Sequence, residues 1–401
     1  MSFGGVYVAA TRQHVGKTSS SLGLVAGLQR IFTGKGVGFI KPMGQSHVEH
    51  VNDDGSRVLI DKDCPLFSDL LGCRGTPTDM SPLVVPRGYT KAFVDLDDAG
   101  RARRRGEELA RIRAAHGRIA DDSEFVVAEG TGHTAVGSIL GLNNATLATA
   151  LDLPMLLVVN GGVGSAFDEF ALNHALIDRT GGALAGVLVN KVAPDKIDTV
   201  RTYLGALLDR QGVPLLGVVP DRAFFSSPTV ADYLRLFETD VVAPAAGDVR
   251  TRHFEAVRLA CGSTAHFLRK FKRSHPATLW VIHQSRADLI LALASGAAAR
   301  ERESGEPYAG GLVLTGRPHE RYPDGMDPEI AEFVLSAASY PIFLSREASD
   351  RTVSLIDRFT AKLSVQDEVR ARAVVDHYSD HVDFGLLLDR VEKHRARAAA
   401  Y

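Results

Sequence analysis

Short, continuously apolar runs punctuate the first part of the chain: Val6 to Ala10, Gly36 to Ile40, Phe125 to Ala128, Met155 to Val159, Ala185 to Val189 and Leu215 to Val219. Between them lie longer segments with apolar positions three and four apart, as in Ser19 to Gln29, where Leu22, Val25, Ala26 and Leu28 fall on one side. Runs without the alternation of a half-exposed strand predict strands buried on both faces. Their alternation with helices predicts a parallel sheet covered on each side, a three-layer α/β fold. A second, shorter pattern of the same kind follows. Leu279 to His283, Gly311 to Thr315 and Pro341 to Leu344 read as strands, and Arg286 to Ala299, Pro328 to Ala338 and the stretch around Asp350 to Phe359 as helices. The expected organisation is a first domain over 1–238, a linker over 239–248, a smaller α/β domain over 249–390 and a frayed tail over 391–401.

In a parallel sheet, ligand groups gather beyond the carboxyl ends of the strands, and polar residues follow these strands closely. After the first comes Thr11-Arg-Gln-His-Val-Gly-Lys-Thr-Ser19. The phosphate-loop pattern G-x-x-x-x-G-K-[ST] is met at Gly16, Lys17 and Thr18, with Thr11 standing where the first glycine belongs. Strand, loop and helix in that order bring backbone N–H groups to the positive end of a helix. The nucleotide contacts expected are Thr11, Val15, Gly16, Lys17, Thr18 and Ser19, with Lys17 facing the terminal phosphates and the Thr18 hydroxyl facing Mg²⁺. Glu129, directly after its strand, is placed to hold that ion, and Asp53 or Asp54 in "VNDDGS" offers a further carboxylate, of which Asp54 is taken as the metal candidate. Lys41, after the second strand, would bring another ammonium to the same edge and joins Lys17 as a candidate for charge neutralisation in catalysis. Asn190 and Lys191 end the fifth strand, where an Asn amide can pair with a purine edge. His47, His50 and Arg57 are looser candidates for contact with a substrate.

Formal net charge is −2, with no basic block interleaved with aromatics, so nucleic acid is not an expected partner. The run Arg101 to Arg105, followed by Glu107, Glu108, Arg111 and Arg113, mixes charges at helical spacing and reads as a solvated helix face. Three cysteines without C-x-x-C spacing predict neither a disulfide framework nor a zinc site. The first strand starts close to Met1 and no apolar run reaches the length of a membrane span, so the expectation is a cytoplasmic protein without membrane contact.

The loop A-T-R-Q-H-V-G-K-T-S, "GFIKPMGQ", "VVAEGTGH", "LVNKV" and "LGVVPD" together resemble the dethiobiotin synthetase superfamily, in the order found there. That family has one more residue between its first glycine and GKT, so the matching position is Ala10, a single Gly-to-Ala departure. "LNNATLATALDLPMLLVVNGGVGSAFDEFALNHALIDRTGGALAGVLVNKV" and "GVVPDRAFFSSPTV" resemble one branch more closely, the N-terminal, non-catalytic region of long phosphate acetyltransferases and related stand-alone proteins. The second domain resembles the DRTGG domain that follows in that branch. Its named residues would correspond to Arg286, Asp288, Thr315 and Gly316, with Ser285 and Arg317 departing from the pattern, while the literal string Asp178 to Gly182 lies in the first domain.

The resemblance implies ATP and Mg²⁺ as ligands and a nucleotide-binding protein with a regulatory or sensing role. The alternative is an ATP-dependent ligase-type enzyme that activates a carboxylate or carbamate, as in dethiobiotin synthetase. Phosphate acetyltransferase activity itself is not expected, because acyl transfer in the long members belongs to a separate C-terminal domain. A small-molecule effector or protein partner is expected at the second domain, and assembly into a homo-oligomer. Residues 1–238, holding every phosphate-site candidate, are expected to bind ATP alone.

Overall fold

The six apolar runs of the first part form one sheet in the computed structural model, which describes residues 4–52, 54–241, 249–316 and 326–399. In chain order the elements are β1 (Gly4–Ala10), α1 (Lys17–Ile31), β2 (Val37–Ile40), β3 (His47–Val51), β4 (Arg57–Asp61), α2 (Pro77–Met80), α3 (Tyr89–Val94), α4 (Asp98–Asp121), β5 (Phe125–Glu129), α5 (Asn144–Ala150), β6 (Met155–Asn160), α6 (Gly164–Arg179), β7 (Leu184–Val192), α7 (Ile197–Asp209) and β8 (Leu215–Pro220). The strand order is β2-β5-β1-β6-β7-β8, every pair parallel. Residues of β1, β5 and β6 are buried on both faces, which explains their unbroken apolar character. β1 lies between β5 and β6, so connections leave it toward both sides, and Val8 pairs in register with Glu129. The loops after β1, β5 and β2 therefore meet at one place on the carboxyl edge.

β3 and β4 form a separate antiparallel hairpin. The sequence pattern did not reveal them as strands, because most of their side chains are exposed and half are polar.

The second unit spans residues 223–362, and the first takes up the chain again at 363–401. Its elements are α8 (Val230–Phe237), β9 (Ala256–Leu259), α9 (Thr264–Arg273), β10 (Thr278–His283), α10 (Ala287–Ser304), β11 (Gly311–Thr315), α11 (Pro328–Ala337), β12 (Ile342–Ser345) and α12 (Ser349–Arg358). Its sheet, β12-β11-β10-β9, is again parallel. Trp280 on β10 is fully buried and meets Phe267 edge-on at 4.9 Å.

Two boundaries differ from expectation. The second unit begins before the expected linker, since α8 packs on β12, and residues 242–248 of that linker lie outside the described residues. The segment expected as the end of the second domain and a tail forms α13 (Glu368–Ser379) and α14 (Phe384–Ala398), which belong to the first unit. α13 packs along α1, and α14 against β1 and β7. A Cβ on Gly23 would stand 2.2 Å from the Tyr378 Cβ, and one on Gly27 1.9 Å from the Phe384 ring. Two glycines one helical turn apart thus open a slot into which Tyr378 and Phe384 pack. Arg370 and Asp367 at the start of α13 pair at 2.7 Å while nearly fully buried.

Candidate functional site

β1 ends at Ala10, and the loop 11–16 leads into α1, whose opening amides at Lys17, Thr18 and Ser19 have no acceptor within the helix. Gly16 adopts φ 92°, ψ 32° in the left-handed region. A Cβ there would also stand 2.3 Å from Asn190 Nδ2, so the position requires glycine twice over. The loop is shaped like an anion cradle.

Lys17 Nζ donates to the Gly132 carbonyl at 3.3 Å, reaching the loop after β5. That loop is held by Asn144, whose Oδ1 accepts from Thr131 N at 3.2 Å and Tyr7 Oη at 3.0 Å, and whose Nδ2 donates to the Thr131 and His133 carbonyls. Burial is the largest influence on Lys17 and lowers its pKa to about 8, with Glu129 opposing.

Glu129 is fully buried at the end of β5. Its Oε1 accepts from Thr18 Oγ1 at 3.2 Å and from Lys41 Nζ at 2.7 Å. Its Oε2 is buried with no hydrogen-bond partner among the described residues. A buried carboxylate oxygen without a donor is costly and calls for a counter-charge.

Lys41 is enclosed by three carboxylates: Asp63 Oδ2 at 2.6 Å, Glu129 Oε1 at 2.7 Å and Asp61 Oδ1 at 3.7 Å. Burial alone would lower its pKa, but Asp63, Glu129 and Asp61 outweigh it and hold the ammonium well above the ordinary lysine range. Burial would raise Asp63; Lys41 and then Lys62 overcome this and hold it low, whereas burial dominates at Asp61 and raises it. The cluster is a buried cation with more than matching negative charge, and it engages Glu129 through Oε1 alone.

Thr18, Glu129, Lys17 and Lys41 thus come together as the sequence suggested. Other expected contacts are placed differently. The Thr11 amide donates to the Val158 carbonyl at 3.0 Å within the sheet, and its hydroxyl donates to Glu169 on α6 at 2.7 Å. Neither group is available to a phosphate, so Thr11 serves as the hinge between strand and loop. Asn190 is buried behind the loop, its Nδ2 donating to the Val15 carbonyl at 2.6 Å and its Oδ1 accepting from Lys191 N at 2.9 Å. It braces the loop instead of facing a base. Lys191, at φ 55°, donates to the His14 carbonyl at 3.0 Å. The Ser19 side chain lies beside the Tyr378 hydroxyl.

Asp54 sits at the tip of the β3–β4 hairpin, exposed, accepting from Ser56 N at 2.9 Å and Ser56 Oγ at 2.6 Å. That is ordinary turn chemistry. The carboxylates beside Lys41 come from the base of the same hairpin, Asp61 and Asp63; Asp53 lies outside the described residues. The available signal was "VLIDKD", an apolar run ending in alternating carboxylates. His47, His50 and Arg57 remain on the hairpin, where Arg57 pairs with Glu49 at 3.0 Å.

A groove of about 330 Å³ opens beside the hairpin, lined by Leu59, Thr78, Asp79, Ser81, Arg111 and Arg118 among others. Ser81 Oγ, on its wall, accepts from the Asp61 amide at 2.8 Å. In the second unit, Arg286 holds Asp288 in a two-pronged pair at 2.8 Å, and these hydrogen bonds keep the Asp288 carboxyl at about 2. Thr315 bonds to Ser349, and Arg317 lies outside the described residues.

The donors fit a polyphosphate carrying a divalent cation: free helix-opening amides, a glycine where a side chain would clash, a lysine, a hydroxyl and one uncompensated carboxylate oxygen. Among the described residues no group of three or more His, Cys, Asp or Glu is arranged to hold a metal by itself. That suits Mg²⁺, which is usually held by one or two carboxylates together with substrate phosphates. No helix among the described residues is long and apolar enough to cross a membrane.

Residues 4–229 match the profile of a family described as an AAA domain. The phosphate acetyltransferase of Pseudomonas aeruginosa is 27% identical over 403 residues, covering 96% of this chain and 51% of the relative. The ATP-dependent dethiobiotin synthetase BioD of Anaeromyxobacter sp. (strain K) is 30% identical over 229 residues, covering 55% of this chain and 92% of the relative. The MinD cell division protein of Aquifex aeolicus aligns in structure over 54% of this chain and 82% of its own, with 13% identity and a TM-score of 0.32. The chain spans about half the length of the phosphate acetyltransferases it matches.

Proposed function

The chain belongs to the AAA-domain family over residues 4–229, and from that premise we propose that it binds ATP with Mg²⁺ at the loop 11–19 and acts as a regulatory or sensing module. The observation that carries the reading is the orphaned Glu129 Oε2 beside the Thr18 hydroxyl and the amides that open α1. Mg²⁺ bound with the nucleotide would supply the positive charge that this oxygen lacks and would neutralise the phosphates.

Lys17 binds the terminal phosphates: its ammonium, now resting on a backbone carbonyl, gains anionic acceptors in a partly desolvated setting. Thr18 and Glu129 orient the cation. Lys41 keeps its proton and holds Glu129 in place, and its charge is already matched by three carboxylates. That matching favours sensing over turnover, since a cation so compensated has little charge left for a developing transition state. The second unit, resembling a DRTGG domain, would then carry the effector or partner contact.

Titration calorimetry with MgATP tests the reading. Binding to the wild-type protein and its loss in Lys17→Ala are expected; equal affinity in the two would remove the nucleotide site.

A second reading, ATP-dependent activation of a carboxylate or carbamate, is favoured by the coverage of nearly the whole dethiobiotin synthetase. The two part on phosphate release. A sensing module releases phosphate no faster when carboxylates, or amines with bicarbonate, are added, whereas a ligase-type enzyme responds to its own substrate class.

A further inference from the structure

The face of the loop opposite the phosphate cradle is closed by α13, which enters the first unit only after the second unit has been completed. Tyr378 on α13 is 4% exposed, and its hydroxyl lies beside the side chains of Asn190 and Ser19. The same hydroxyl lies 3.4 Å from where a Cβ on Gly16 would stand. Its helix is fixed on both sides. The Tyr378 Cβ fills the slot at Gly23, His377 Nε2 lies 2.9 Å from the Pro220 carbonyl, and the His381 carbonyl comes so near Gly217 that a Cβ there would lie 2.0 Å away.

In a planar trans peptide the carbonyl and the following N–H point in opposite directions. Asn190 draws the Val15 carbonyl backward at 2.6 Å, which turns the Gly16 N–H forward into the cradle. Lys191 does the same to the His14 carbonyl at 3.0 Å, turning the Val15 N–H forward. His14 at φ 61° and Lys191 at φ 55° hold left-handed conformations disfavoured for side chains of their size, so this arrangement depends on its surroundings to persist. Asn190 is the post that draws the loop back, and Tyr378 is what steadies the post.

We propose that Tyr378 is a positioning residue of the nucleotide site, holding Asn190 and the first turn of α1 so that the loop's amides face a polyphosphate; this rests on the nucleotide reading above. The phosphate site is accordingly built from chain on both sides of the second unit, and the string "VVDHYSDH" belongs to it although it lies far beyond the loop in sequence.

The test uses full-length protein, with MgATP and inorganic tripolyphosphate titrated separately by calorimetry. Tyr378→Phe keeps the ring in its slot and removes only the hydroxyl. It should weaken both probes about five- to tenfold, more than any fall in the ligand-free melting midpoint accounts for, because Asn190 loses the polar group beside it. Ser19→Ala removes one of the same contacts, so the double variant should lose less than the product of the two single losses. Wild-type affinity for both probes in Tyr378→Phe would overturn the proposal. A lowered ligand-free midpoint with losses that multiply would equally overturn it, because that pattern marks a merely structural tyrosine. Should the wild-type protein bind neither probe, the nucleotide reading itself fails and the proposal with it.

Discussion

Two lysines of the site carry opposite electrostatics, and their difference yields a pH dependence. Lys41 sits among carboxylates that hold its proton firmly. Lys17 has lost hydration without gaining a close counter-ion, and burial lowers its pKa to about 8. Since that value lies below the ordinary lysine range, the ligand-free protein is increasingly neutral at Lys17 above pH 8. A bound polyphosphate requires the ammonium, so binding raises the pKa again and takes up a proton. ATP affinity should therefore fall as pH rises through about 8, and near that pH binding should draw about half a proton from the buffer. Calorimetry in two buffers of different ionisation enthalpy reads this directly; identical apparent enthalpies at pH 8 would contradict it. The same sign governs stability in the absence of ligand. The unfolded chain holds this proton more tightly, so the Lys17 contribution to stability rises between pH 8 and the ordinary lysine pKa.

Among the elements, α1 is the one whose two ends do different work. Its N-terminus opens on the loop 11–16, and its glycines at 23 and 27 receive the returning C-terminal helices. Overpacking such a slot forces side chains off their rotamers or displaces backbone. Gly27→Ala should thus destabilise the protein by about 1–3 kcal/mol in urea unfolding, although alanine is the better helix former. Gly106 in the middle of α4 is the control, because a Cβ there meets nothing within 4 Å. Gly106→Ala should stabilise by about 0.5–1 kcal/mol, the helix-propensity gain alone. If the two substitutions shift stability alike, α1 and the C-terminal helices are not packed as described. The sequence showed α1 as a helix from its apolar spacing. It did not show that its glycines were a docking face, since a glycine carries no hydrophobic signal.

For the molecule as a whole, the consequential finding is that the first unit is discontinuous, residues 1–222 with 363–401. The discontinuity bears on the expectation that residues 1–238 bind ATP alone. That fragment retains the sheet and the loop but leaves α1's glycine face and the back of Asn190 uncovered. It should bind MgATP weakly or not at all. Joining residues 1–222 to 363–401 through a Gly/Ser linker of about 15 residues, which spans roughly 20 Å, should restore binding. Far-ultraviolet circular dichroism and MgATP titration of both forms check this, and full-strength binding by the shorter fragment would show that α13 and α14 are dispensable.

What the sequence determined by itself was whatever local order and solvent partition dictate. Continuous apolar runs specified buried parallel strands, because both faces of such strands are covered and no alternation survives. Gly16-Lys17-Thr18 between strand and helix specified an anion cradle, because a helix N-terminus with a glycine before it presents donors whatever follows. Glu129 and Lys41 were legible from their positions at strand ends. The tertiary structure decided which polar groups were already engaged. Thr11 and Asn190 looked free in the sequence but satisfy the backbone of neighbouring strand and loop, as buried polar groups must. Asp54 gave way to Asp61 and Asp63 because a hairpin reverses the chain, carrying its tip away and returning its base to Lys41. The return of α13 and α14 past the second unit was decided only by packing. These helices pack where two glycines of α1 leave room for Tyr378 and Phe384.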